Sequence, residues 1–288
     1  MTTLDAELHD LLAWGSELEG FTETHARDGL VLAHSYIEGI PDGDGGWIAG
    51  IGAVHERCAL LLATDLAWLL WLDDCFDLGE APVDLDLLLA AIDGPAWSRE
   101  GRGYQHLRTQ MQQATTCPRA LAVWTQTASD VFRAYHRNAE WARAPRPLSY
   151  GEYLDNGEHS IATTHFVATT ALIYGWDLAA RLRKDTFRRC LRHLSLLTRL
   201  QNDLASAERE RHDRTPANAV LLLEPMIGPT GARELVRREL DGYRRSLHRD
   251  LTEIDRGDPF CGFVNVLVRA TDQYYSDPRA RYQVTDPI

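Results

Sequence analysis

The sequence predicts an all-α protein, and three observations carry that prediction. Apolar residues recur three and four positions apart along nearly every long segment, the spacing that gives a helix one buried face. No stretch alternates apolar and polar residues between hairpin turns, so strands have no signal. The pattern breaks at turn-forming stretches, "IPDGDGGWIAG" at 40–50, "RAPRP" at 143–147 and "DRTPAN" at 213–218.

The predicted helices run over about 5–17, 24–38, 53–76, 84–92, 103–114, 118–140, 148–174, 184–212, 229–254 and 260–276. The Gly- and Asp-rich connection separates the second from the third. The third holds the longest apolar run, "CALLLATDLAWLLWL" from Cys58 to Leu72. "RAPRP" and "DRTPAN" end the sixth and the eighth. The seventh carries Asn156-Gly157 inside a helical pattern, where Gly costs about 1 kcal/mol relative to Ala, so a local kink is predicted there. No internal repeat, low-complexity tract or flexible linker interrupts the chain. One domain over 1–288, a bundle of about ten helices, is the simplest account.

Composition narrows the function classes. With 44% hydrophobic and 25% charged residues, the 288-residue chain has the make-up of a folded globular protein. A net charge of −12 disfavours a phosphate-backbone partner, so nucleic acid is excluded as the main ligand. The five cysteines are scattered without a C-x-x-C pair, which argues against zinc and for reduced thiols. The polar, acidic start "MTTLDAELHD" does not look like a secretory signal, and Asp65 interrupts the longest apolar run short of membrane-spanning length. A cytoplasmic protein without a membrane partner is expected.

Two polar stripes carry the chemistry. In "LLWLDDCFDLG", Asp73, Asp74 and Asp77 stand three and four residues apart, so a helix brings them to one face at its carboxy-terminal end. Clustered carboxylates repel each other and the negative end of the helix dipole unless a cation compensates. They form either a solvated helix end or a metal-binding wall. In "RLQNDLASAERE", Asn202, Ser206 and Glu210 stand at i, i+4 and i+8, a row of oxygen donors following an apolar lead-in. Either a mixed surface face or a second metal wall would read this way. Arg199, three residues before Asn202, adds a planar donor fork suited to phosphate.

Taken together the motifs resemble class I terpene synthases, the Mg²⁺-dependent cyclases that ionise isoprenoid diphosphates. Asp73-Asp74-x-x-Asp77 fits their aspartate-rich motif, and Asn202-Asp203-x-x-Ser206-x-x-x-Glu210 fits their second metal motif. Arg281-Tyr282 looks like the carboxy-terminal Arg-Tyr pair that binds diphosphate in microbial members. "EYLDNGEHSIATTHF" and "DQYYSDPRARY" bring the chain nearest to bacterial ent-kaurene synthase-like, labdane-related diterpene synthases. In one respect it departs from the pattern. Asn156-Gly157 stands where many members carry a diphosphate-sensing arginine, so sensing is assigned to Arg199 and Arg281.

The resemblance implies a bundle around a central cavity and Mg²⁺ as cofactor, three ions with substrate bound. Asp73, Asp74, Asp77, Asn202, Ser206 and Glu210 would be the ligands. Arg199, Arg281 and Tyr282 would hold the diphosphate. Tyr153, Asn156, Gly157, Ile161, Ala162, Thr163 and Phe76 would line the pocket. The expected reaction ionises a bicyclic copalyl-type diphosphate and cyclises the cation to a kaurene-, pimaradiene- or atiserene-type diterpene. A separate class II cyclase would supply the substrate, and a homodimer is the assembly considered. The alternative substrate is a linear prenyl diphosphate, farnesyl or geranylgeranyl. A small residue at Ala162 would favour continued cyclisation.

Overall fold

Among the described residues every regular element is a helix, as the three- and four-residue spacing demands. The computed structural model describes residues 3–38, 52–78, 82–115, 117–143, 148–213, 217–255 and 257–276. The predicted connection at 40–50 and the Arg281-Tyr282 pair lie outside them. The helices are α1 (Thr3–Gly15), α2 (Glu23–Glu38), α3 (Gly52–Leu78), α4 (Leu85–Asp93), α5 (Arg99–Ala114), α6 (Pro118–Arg143), α7 (Tyr150–Ser160), α8 (Thr163–Ile173), the single turn α9 (Leu178–Arg181), α10 (Asp185–Asp213), α11 (Ala219–Glu253) and α12 (Pro259–Ser276).

Several starts are fixed by side chains that satisfy orphan amide groups. Asp84 accepts from Leu87 N–H at the start of α4, and Ser98 accepts from Gly101 N–H at the start of α5. That second cap begins α5 one turn earlier than the apolar spacing alone suggests. Ser149 and Glu152 form a reciprocal capping box on α7. Asn218 accepts from both Val220 and Leu221 N–H to start α11.

One predicted helix needs correction and another gains a helical stretch before it. The segment 148–174 is not one helix kinked at Asn156-Gly157. The backbone stays helical through both residues and breaks at Ile161-Ala162, where Ala162 has φ 56. Gly157 serves a different need, because a Cβ there would lie 3.1 Å from Arg199 Cγ. The predicted helix 229–254 stands, starting at Pro229 directly after a break at Gly228 (φ 74, ψ 163), and the addition is a helical stretch before that break, from Ala219 past Pro225. Pro225 and Pro229 are tolerated because the chain turns at the glycine between them.

The chain forms two compact units, residues 1–136 with 165–180, and residues 137–164 with 181–288. In the first, α3 is apolar around most of its circumference and buried accordingly, from Leu62 through Trp68 and Trp71 to Phe76. Its aromatic core stacks Tyr104 on Trp124 at 5.4 Å and sets Phe132 edge-on to Trp68 at 5.6 Å. Helix α2 crosses α3 closely: a Cβ on Gly29 would lie 2.7 Å from Ala63 O and 2.8 Å from Ala67 Cβ. Inside the first unit a fully buried group joins α3, α6 and α8, with Asp65 accepting from Thr169 Oγ1 at 2.6 Å and pairing with His165 at 3.2 Å. In the second, Tyr153, Leu200, Ala207, Val220, Leu223 and Val236 cluster where α7, α10 and α11 meet.

Candidate active site

Both polar stripes lie on helices, as their spacing requires. Asp73, Asp74 and Asp77 occupy the last two turns of α3; the first two are half-buried and Asp77 is exposed. Asp74 Oδ2 lies 2.9 Å from His25 Nε2 on α2. Beneath them Cys75 and Phe76 turn into the core, Phe76 meeting Tyr135 edge-on at 6.0 Å. Arg99 stacks 5.3 Å over the Trp71 ring and bonds Glu100. Burial pushes the Cys75 thiol up to about 12, so it is a neutral packing group.

The second stripe is built inward. Asn202, Ser206 and Glu210 are buried on successive turns of α10. Asn202 Nδ2 donates to Tyr275 OH at 3.3 Å, which leaves its carbonyl oxygen as the acceptor. Ser206 donates its hydroxyl proton to Asn202 O at 2.8 Å, so its oxygen lone pairs face other donors. Sequence reasoning missed Asn218, the residue that ties this row together. Its Oδ1 caps α11 while its Nδ2 donates to Asp203 O, Ser206 Oγ and Glu210 Oε2 at 3.0, 3.4 and 3.1 Å. The sequence signal was an Asn just before the apolar run "AVLLL", which marks a helix start and says nothing of α10.

Arg199 and Tyr153 join the same group from the other side. Arg199 Nε lies 2.6 Å from Tyr153 OH and 3.1 Å from Asp203 Oδ1, and its Nη2 donates to Ala217 O at 2.8 Å. Tyr153 in turn donates to Asp203 Oδ2 at 2.5 Å, and Ala219 N–H donates to the same oxygen at 3.2 Å. Burial opposes the Arg199 charge, yet Asp203 and Tyr153 hold it more firmly protonated than usual. Burial pushes the Asp203 carboxyl up to about 6 against the pull of Arg199. The guanidinium expected at a diphosphate is thus anchored to three oxygens of its own unit.

The remaining expected pocket residues divide. Tyr153 and Gly157 touch Arg199 and so belong to the α10 group. Asn156 is buried and donates to Asn138 Oδ1 at 2.7 Å, away from that group. Ile161 and Ala162 are half-buried at the helix break and Thr163 is buried just beyond it. A left-handed alanine is strained by roughly 1–2 kcal/mol, and such strain gathers at functional corners. A cavity of about 530 Å³ between α4, α5 and α6, lined by Asp93, Arg108, Ser129 and Arg133 among others, contains none of the expected site residues.

The donor set suits Mg²⁺, a hard ion that takes one or two carboxylates and keeps room for water and phosphate oxygens. Every candidate ligand offers oxygen. Among the described residues no three His, Cys, Asp or Glu side chains converge as a ready metal cluster. The α10 stripe draws two of its three donors from Asn and Ser instead. Nor is any helix of the described residues long and apolar enough to cross a membrane.

An all-helical chain with an aspartate stripe and an Asn-Ser-Glu stripe defines a class I terpene synthase fold, and solved structures share it. 2-Methylisoborneol synthase from Streptomyces coelicolor, in complex with Mg²⁺ and geranyl-S-thiolodiphosphate, superposes with a TM-score of 0.77 at 16% identity over 98% of this chain and 93% of that one. Abietadiene synthase from Abies grandis gives 0.71 at 20% identity over 96% of this chain and 37% of that one. At such identities the likeness speaks for the fold alone.

Residues 66–245, which contain both stripes, match the terpene synthase family 2, C-terminal metal-binding domain, and the chain belongs to that family. Among curated relatives, dolabradiene synthase from Zea mays is 29% identical over 251 residues, 75% of this chain and 29% of that protein. Stemod-13(17)-ene synthase from Oryza sativa subsp. indica is 28% identical over 217 residues, 64% of this chain and 26% of that protein. The chain therefore matches less than a third of the length of these relatives.

Proposed function

We propose that the protein is a Mg²⁺-dependent class I diterpene synthase that ionises a bicyclic copalyl-type diphosphate and cyclises the resulting cation. The observation that carries the reading is the Asn202, Ser206 and Glu210 row, buried and held in place by Asn218 on α11. Relatives among plant diterpene synthases support the substrate class. Bound Mg²⁺ supplies neutralisation of the charge that grows on the departing diphosphate. The protein's own groups do the rest.

Asp73, Asp74 and Asp77 on α3 and the α10 row present the oxygen ligands. The substrate's carbon–oxygen bond breaks with its electron pair leaving on the diphosphate, and the allylic cation closes onto its own double bonds. Loss of a proton ends the cascade. Apolar and aromatic walls keep water from quenching the cation, and a ring face steadies it by on the order of 1–2 kcal/mol. Arg199 acts as the strut that orients Asp203 and Tyr153 behind the α10 row, and Arg281 and Tyr282 remain the proposed diphosphate donors. A class II cyclase is the proposed source of the substrate.

The test is incubation with Mg²⁺ and, separately, copalyl, geranylgeranyl and farnesyl diphosphates, with analysis of the hydrocarbons formed. Turnover of copalyl diphosphate alone is expected. Turnover confined to the linear substrates would instead establish the second reading.

A further inference from the structure

The first four residues of the α2 start, Thr22 to His25, form an unusual cap. In the common capping box a Glu three residues after the N-cap reaches back to the N-cap backbone N–H. Here His25 takes that place: its Nδ1 accepts from Thr22 N–H at 2.9 Å, with the Thr22 hydroxyl also at 2.9 Å. Accepting at Nδ1 fixes the tautomer, since the neutral ring then carries its proton on Nε2. That Nε2–H points at Asp74 Oδ2, 2.9 Å away. The ring is 5% exposed and lies against Phe21 at 5.4 Å, so it has one orientation.

We propose that His25 is a positioning residue for the metal site, holding the Asp74 carboxylate from behind in the orientation that serves the aspartate wall of α3. The proposal rests on the metal-binding reading of Asp74. Three facts support it. The contact joins residues 49 apart in sequence, so it is made by tertiary structure and not by the local run of the helix. Both ring nitrogens are engaged in a definite direction, backbone to Nδ1 and Nε2 to carboxylate. The close crossing at Gly29, one turn after His25, brings α2 near enough to α3 for the ring to reach. Of the carboxylate's two oxygens, Oδ2 accepts the imidazole N–H, so the ring fixes which way Oδ1 faces. Hydrogen-bond partners behind metal ligands are worth about 10- to 100-fold in metal affinity.

Two variants break the link in different ways. His25→Asn keeps an acceptor for Thr22 N–H but is too short to reach Asp74, and His25→Leu removes both contacts. His25→Gln places an amide N–H near the position of Nε2 and restores the link. The readout is the Mg²⁺ concentration giving half-maximal binding of inorganic diphosphate, followed by calorimetry, with a thermal melt for each protein. A midpoint raised about tenfold or more in whichever of the Asn and Leu variants folds, and within about threefold of the parent in the Gln variant, is the expected result. An unshifted midpoint in a folded Asn or Leu variant overturns the role of His25. Parent protein that binds no diphosphate with Mg²⁺ overturns the metal reading itself, a distinct outcome.

Discussion

The two polar stripes differ in how they are held. The α3 aspartates stand at a helix end, partly or fully exposed, three like charges at the negative pole of the helix dipole. The α10 row is buried, mixes an amide and a hydroxyl with one carboxylate, and is bonded to α11 through Asn218. One wall therefore has repulsion that an arriving cation relieves, whereas the other is organised in advance by neutral donors. The difference implies that stability and metal binding separate cleanly at the first wall and are entangled at the second.

Substitutions can break that contrast, and the largest effect is expected behind the second wall. Asp203→Ala leaves the buried Arg199 charge without its partner and should cost about 3–5 kcal/mol in urea unfolding. The exposed Asp77→Asn should change stability by less than about 0.5 kcal/mol in the same assay. Asn202→Ala should lower Mg²⁺-dependent turnover by on the order of 10²–10³-fold, since it removes a proposed oxygen ligand of the Mg²⁺ that neutralises the departing diphosphate. Circular dichroism should stay unchanged in that variant. Asn218→Ser is subtler, because serine still caps α11 but cannot reach Glu210. A 10- to 100-fold rise in the Mg²⁺ requirement, measured by titration, is expected. Smallest is Ala162→Gly, which relieves the left-handed backbone and should leave the melting temperature equal or slightly raised. Ala168→Gly, at a buried position within α8, should cost about 1 kcal/mol or more.

Much of this was legible in the sequence because it is periodic. The aspartates and the α10 row announce themselves by spacing within single helices, and α3 and α10 appear within a few residues of their predicted bounds. What escaped prediction depends on contacts between different helices. His25 reads as an ordinary residue near a helix start until α2 crosses α3, and Asn218 reads as a cap until its second nitrogen meets α10. Gly157 misled in an instructive way. A glycine in a helical pattern suggests a weakened backbone, but here the missing side chain makes room for the Arg199 stem, and the break falls five residues later at an alanine. Local propensity registers the cost of that glycine and not the neighbour that justifies it.

The crossing of α2 over α3 has a further consequence. Its spacing is set by what Gly29 and Ala67 lack, so two of the chemically plainest residues in the molecule act as a ruler for a contact one to two turns away. One added methyl at either of them lengthens that ruler. Such a change would leave every polar group of the aspartate wall intact, yet detune it from a distance, and a screen for activity would find these positions before any inspection of the acids would suggest them.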